Sequence, residues 1–454
     1  MRMVHIALLG GASLLIGVTP GTSAEFLGLG DLPGGNPASG AFAVSADGLV
    51  VVGASHSAQG DQASRWTRSS GMTGLGDFSG GPFASNATAV TADGGTVFGN
   101  GSTSLGTEAF RWSASQGIKR VFDLPTNFFG SVVGGASADG AVVAGTLNSV
   151  FGYDAYAWTA DSGVVDINTL PARYFDSSAS GVSSDGQQIA GTGLRFVNNV
   201  VLSEAFLWSN GAGMTPLGDL AGGASLSSAA AISGDGNVVV GASSSAASGF
   251  DRQEAFRWTS DEGLVGLGDL TGGPFFSQSL GVSADGSTIV GIGNLDTNTG
   301  QGQAFIWTHG NGMQDLQAML SNEYGLAEQL KGWQLLTASG VSSDGRVVVG
   351  TGFNPSGDPE AWLAVLEPRL LLLPGDTDGD GDVDVTDLNN VRNNFGGLGL
   401  GDTDHDDDVD IIDLNNVRNN FGATSGANSV PEPSSLVLIG LSLIGIPAGR
   451  RYVK

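Results

Sequence analysis

The sequence predicts a mainly β protein, a seven-bladed β-propeller of four-stranded repeats followed by a small α-helical module. Three observations carry that prediction. A turn phrase of Ser or Thr, any residue, Asp and Gly recurs seven times, with its aspartates at Asp47, Asp93, Asp139, Asp185, Asp235, Asp285 and Asp344. The intervals are 46, 46, 46, 50, 50 and 59 residues, a period that points to blades or coils of a repeat architecture. Glycine is abundant, 75 of 454 residues, and only 14% of the chain is charged, which suits many short strands joined by tight turns.

Taken in order, the chain opens with Arg2 and an apolar run from Ile6 to Val18, then Thr22-Ser23-Ala24. That is the pattern of a secretory signal peptide over residues 1–24, and its apolar run is short for a membrane span. The propeller is expected over residues 25–366. In each unit an alternating strand such as Ala41–Ser45 meets the Asp-Gly turn, a strong hairpin signal. A β-branched strand follows, as in Leu49–Gly53. The third is Glu108-Ala-Phe-Arg-Trp112 and its echoes, where Phe110 and Trp112 lie two residues apart and leave one sheet face, filling the space between blades. The fourth is read at Leu29–Leu32, Leu75–Phe78, Leu217–Leu220 and Leu267–Leu270. The end copies differ: Ser64-Arg-Trp66 lacks the first ring, and Trp362 moves to the Phe position, as expected of repeats that close or cap. In the last unit, Leu316, Met319, Leu320, Leu326 and Leu330 suggest a short broken helix packed on the rim. Seven units suffice to close a ring; an open β-solenoid is the alternative. In order and spacing these phrases resemble the HAF-type extracellular repeats of secreted bacterial proteins, a resemblance that implies fold and location rather than a reaction.

No catalytic pattern emerges. The Asp-Gly pair recurs in every unit, so it reads as a turn device, and its order differs from the Ser-x-Asp-x-Gly box of sialidases. Glu108, Glu204, Glu254 and Glu360 also repeat and read as solvated or paired strand-end groups. The histidines, at 5, 56, 309 and 405, share no metal-ligand spacing, and there is no cysteine, which argues against zinc. The chain is expected not to be an enzyme.

After a linker at 367–374, a phrase is written twice. Gly375–Gly422 holds thirteen aspartates between Asp376 and Asp413, against Arg392 and His405 as the basic residues there. Such crowding requires a neutralising cation, and the register matches the twelve-residue calcium loop. Asp376, Asp378, Asp380, Asp382 and Asp387 form the first expected Ca²⁺ site; Asp402, Asp404, Asp406, Asp408 and Asp413 form the second. Asp407 replaces the sixth-position glycine of Gly381, where a sharp turn is needed, so the second site is expected to be weaker. Val383 and Val409 should pair in a small core, and Leu388, Val391 and Phe395, repeated as Leu414, Val417 and Phe421, should form one helical face. Two loop–helix units in tandem, of paired EF-hand type, resemble the type I dockerin module. That resemblance implies a cohesin-like protein partner chosen at Val385-Thr386 and Ile411-Ile412, which depart from the family's usual Ser-Thr type.

A second linker, 423–429, leads to Val430-Pro431-Glu432-Pro433, the apolar run Leu436–Ile446, and Arg450, Arg451 and Lys454. Residues 430–454 resemble a PEP-CTERM sorting signal, which implies recognition and processing by an exosortase, with only transient membrane contact. The net charge of −27, from 18 Lys+Arg against 45 Asp+Glu, argues against nucleic acid as a partner. The expected function is extracellular binding, matrix or structural display at a bacterial cell surface. The competing class is a carbohydrate-active enzyme or polysaccharide-binding component docked through the dockerin-like module. Propeller binding would use the top or central-channel loops.

Overall fold

The computed structural model describes residues 24–168, 175–198, 200–249, 252–296 and 299–366, with Gly375, Thr377, 383–395, Val409 and 411–422. They divide between two compact units, one spanning Ser23–Pro368 and one holding Arg369–Lys454.

The larger unit is seven antiparallel four-stranded sheets. Blades 1 to 6 are continuous in sequence, over residues 34–76, 85–120, 128–166, 176–218, 227–268 and 278–315. Blade 7 takes Gln334–Val341, Val347–Phe353 and Pro359–Val365, and receives Glu25–Gly28 as its outermost strand, with Phe26 opposite Ala364 and Leu27 opposite Leu363. The first strand is thus sewn into the last blade. The architecture is a closed propeller, not an open solenoid.

Each Ser-x-Asp-Gly phrase builds the turn after the innermost strand. In blade 1 the Ser45 hydroxyl donates to Asp47 Oδ1 (2.5 Å) and accepts from Val50 N (3.0 Å), while Leu49 N donates to Asp47 Oδ1 (2.8 Å). Gly48 sits at φ +73°, and a Cβ there would strike Val347 of blade 7. The turn therefore demands glycine both for its dihedral and for the close approach of the neighbouring blade. The variable second residue of the phrase joins the blades around the axis. Ala46 N donates to Ala92 O, Ala92 N to Ala138 O, Ala138 N to Ser184 O and Ser184 N to Gly234 O. The chain of bonds steps by one residue at Asp235 N to Ala284 O, then resumes through Ser343 back to Ala46 O.

Seven apolar clusters fill the gaps between adjacent blades. Phe110 of blade 2 packs with Val50, Val52, Ala63 and Leu75 of blade 1, with Trp112 against them, as the two-residue spacing predicts. Phe110, Tyr156, Phe206, Phe256, Phe305 and Trp362 are all fully buried, each contributing about 1.5–3 kcal/mol by area removed from water. A serine hydroxyl beside the apolar contact accepts the alanine N–H of the third strand across the gap: Ser85 from Ala63, Ser131 from Ala109, Ser177 from Ala155. The same bond recurs at Ser227 with Ala205, Ser277 with Ala255 and Ser39 with Ala361. Between blades 6 and 7 Leu335 takes the serine's place, and helix α1 (Leu316–Asn322) packs there with Leu326 and Leu330. All five apolar residues expected to form this broken helix are buried.

One expectation needs correction and another narrows. The fourth strand ends where the Leu-Gly-Asp-Leu phrase was expected to form it: the strands are Glu25–Gly28, Gly71–Gly76, Gly213–Gly218 and Gly263–Gly268. Gly30, Gly76, Gly218 and Gly268 adopt positive φ, which breaks the extended backbone, and the following Asp-Leu leaves the sheet as the link to the next blade. Of the repeated glutamates, read as solvated or paired, Glu108, Glu204 and Glu254 are buried, and Glu108 and Glu204 are paired with arginines.

In the smaller unit, α2 (Val385–Asn394) and α3 (Ile411–Asn420) share a core of buried Val383, Val391, Val409 and Val417, with Leu388 and Leu414 half-buried against it. The Val383–Val409 contact is as expected. Phe395 and Phe421, expected on the same face, are each 54% exposed. At Asn394 α2 stops, and Phe395 turns to φ −56°, ψ 125°, so its side chain no longer follows the helical stripe.

Candidate functional site

Of the ten aspartates expected to bind Ca²⁺, Asp387 and Asp413 lie among the described residues; Asp376, Asp378, Asp380, Asp382, Asp402, Asp404, Asp406 and Asp408 lie outside them. Both twelfth-position carboxylates are fully buried. Asp387 Oδ1 accepts from Thr377 N (2.6 Å) and Thr377 Oγ1 (2.9 Å), and Oδ2 accepts from Asp384 N (2.7 Å). Asp384 is the N-cap of α2 and forms a capping box with Asp387, a reciprocal pairing that satisfies helix-start amides. The twelfth residue thus ties the loop's start, its end and the helix together. Gly375, at φ +106°, approaches the α3 backbone at Val417, and Gly422 N donates to Val383 O (2.8 Å).

In the propeller the repeated carboxylates are engaged. Arg120 binds Glu108 through Nε (2.5 Å) and Nη2 (3.2 Å), and Thr103 Oγ1 donates to it as well (2.8 Å). The Arg120 hydrogen bond, opposed by burial, holds the Glu108 carboxyl below its ordinary range. Arg195 pairs with Glu204 at 2.8 Å. Gly268 N donates to Glu254 and Gly30 N to Glu360. The linker aspartates Asp77 and Asp269 each accept three backbone amides: Phe78, Ala84 and Ser102 for the first, Leu270, Phe276 and Asn294 for the second. Each bridges one blade to the next. Burial pushes Asp31 and Asp219, the corresponding residues of two other linkers, above the usual carboxylate range.

The central channel is lined by the second residues of the seven turn phrases. Its cavity is about 160 Å³, ringed by Val44, Val90, Val182, Ile232, Val282 and Val341 and crossed by the axial hydrogen bonds. A different place, invisible to motif reading, is open: three adjoining cavities of about 390, 450 and 280 Å³ meet around Gln303 of blade 6. The signal in the sequence was slight, Gln303 standing where four other units have Glu.

Residues 429–454 match the model of the PEP-CTERM protein-sorting motif. The motif marks the chain for export, processing by an exosortase and sorting to the cell surface. Among the described residues no helix is long and apolar enough to cross a membrane. No curated protein matches the chain. Among solved structures it is similar to oligogalacturonate lyase in complex with manganese, at 13% identity over 72% of this chain and 88% of that one, with a TM-score of 0.47. It is also similar to the β-propeller domain of the Trilobed protease from Pyrococcus furiosus, at 10% identity over 69% and 89%, TM-score 0.43. TolB from Acinetobacter baumannii matches at 12% identity and TM-score 0.39, and the match spans 60% of each chain. These are likenesses of fold alone.

Proposed function

We propose that this exported surface protein carries a calcium-binding, dockerin-like C-terminal module that displays the propeller for extracellular binding or matrix building. The observation that carries the reading is the doubled aspartate register ending in two fully buried carboxylates, Asp387 and Asp413. A buried carboxylate is tolerated only when its charge is compensated. Asp387 accepts three hydrogen bonds of the roughly four a carboxylate has sites for, which leaves acceptor capacity for a hard cation. Asp376, Asp378, Asp380, Asp382 and Asp387 would hold the first Ca²⁺; Asp402, Asp404, Asp406, Asp408 and Asp413 would hold a second and weaker one. Val385 and Ile411, the first residues of α2 and α3, are 56% and 53% exposed. Two apolar side chains at equivalent positions support docking of a cohesin-like protein through this module.

Calorimetric titration of Ca²⁺ into the chain from Glu25 onward tests the reading. Two binding events of unequal affinity are expected, with Asp387→Ala removing the tighter one. No heat of binding, or a tighter site at Asp402–Asp413, would overturn it.

A further inference from the structure

At one register position blades 1 and 6 carry an amide, Gln62 and Gln303, where the other five carry a carboxylate, Asp154 in blade 3 among them. Gln303 lies opposite Gly293, where Glu108, Glu204, Glu254 and Glu360 stand in blades 2, 4, 5 and 7. Those carboxylates are taken up by arginines or backbone amides. The Gln303 amide instead accepts from Asn294 Nδ2 at 2.7 Å. Asn294 sits where the ladder slips between Gly293 and Asp296, with a left-handed φ of +50° that non-glycine residues seldom adopt. Its side chain is buried, at 9% residue exposure, and Nδ2 also reaches Thr271 O at 3.3 Å. Oδ1 has no hydrogen-bond partner. Strain and an orphaned buried carbonyl at one residue each carry a cost of about 1–3 kcal/mol, and such outliers gather at ligand sites.

Asn294 lines the first of the three cavities, and Gln303 lines all three. Two of the cavities, at about 390 and 450 Å³, fall in the range of about 300–1,000 Å³ usual for small-ligand sites. Their walls are rich in amides and carboxylates, among them Gln301, Gln334, Asp296 and Asp315, and among the described residues no Lys, Arg or His lines them.

We propose that this trough on blade 6 binds a neutral saccharide, with Gln303 and Asn294 as its central recognition pair. Side-chain amides pair a donor and an acceptor at fixed spacing, matching vicinal hydroxyls, and carboxylates accept further hydroxyl protons. Phosphates, sulfates and uronates would meet three carboxylates, Asp269, Asp296 and Asp315, and no cation among the described residues, in a chain of net charge −27. An extended peptide would need an aromatic anchor pocket; among the described residues no aromatic ring lines the cavities, and their larger aliphatic members, Leu270 and Met313 in one and Leu335 and Leu336 in another, are divided between two of them. A ligand hydroxyl donating to Asn294 Oδ1 removes the orphan. The site belongs to the propeller and does not rest on the calcium reading.

The test is affinity electrophoresis of the chain from Glu25 onward, with and without EDTA, in gels containing dextran, laminarin or glucomannan. Polygalacturonate and dextran sulfate serve as anionic counterparts. At least one neutral polymer is expected to retard the protein, with retardation unchanged by EDTA and no retardation by the anionic polymers. Gln303→Glu installs the residue that four sister blades carry and so preserves the fold, verified by an unshifted Tm; it should weaken retardation about tenfold. Gln301→Ala is the second variant and should weaken it less. Absence of retardation by every neutral polymer, preference for the anionic ones, or full retardation of Gln303→Glu would each overturn the proposal.

Discussion

Glu108 shows how a residue that looks like a candidate acid is used for structure. Its carboxylate is buried and held by Arg120 and Thr103, and its pKa lies below the ordinary value chiefly because of the Arg120 hydrogen bond. The sign follows by linkage. A carboxyl whose folded pKa is depressed contributes stability that is fully present above its unfolded value, near 4.5, and is lost as pH falls through the folded one. Glu108→Gln should therefore lower stability at pH 7 by about 1.5–3 kcal/mol, the usual worth of hydrogen bonds to a charged group. The gap to wild type should narrow as pH falls below 4.5 and through the depressed folded value. Denaturant melts of both proteins from pH 7 to 3 would show this; a gap constant across that range contradicts it.

At the scale of elements, the Asp-Gly hairpin is the unit the sequence announces most clearly. Its three side-chain bonds are local, within five residues, and recur in every blade, as in Ser137, Asp139 and Val142 of blade 3. Ser137→Ala removes the hydroxyl that both orients Asp139 and accepts from Val142 N, leaving a half-buried amide short of a partner. A loss of about 1–3 kcal/mol is expected in urea denaturation, whereas Ser137→Thr, matching Thr91 of blade 2, should lose less. Equal losses for the two would deny the hydroxyl its role. The fourth strands were legible only in part. Their boundaries are decided by glycines that turn to positive φ and by link residues that pack on the next blade, neither of which alternation reveals.

For the whole molecule, closure depends on one short segment. Glu25–Gly28 completes blade 7, Phe26 packs edge-on to Trp333 at 5.1 Å, and Leu29 N donates to Ala361 O (2.9 Å). Removing residues 25–32 should expose the edge of Pro359–Val365, which invites strand pairing between molecules. Analytical ultracentrifugation is expected to find association and calorimetry a lower, broader melt. A monomer melting as sharply as the parent would show that the ring closes without its N-terminal strand.

The sequence by itself determined the number of blades, the turns, the aromatic filling of the gaps and the pairing of Val383 with Val409. All of these follow from short-range spacing repeated with a fixed period, and a period needs no tertiary information to be read. Only the tertiary structure decided which carboxylates are buried and which serine bridges which alanine, because those contacts cross from one blade to the next. It also decided where the cavities open. The Gln303–Asn294 pair lies nine residues apart in sequence, but the trough around it draws together the link from blade 5 to blade 6, blade 6 itself, helix α1 and blade 7. Its polar walls come from residues that carry no common motif, brought to one place by the circular packing of the blades.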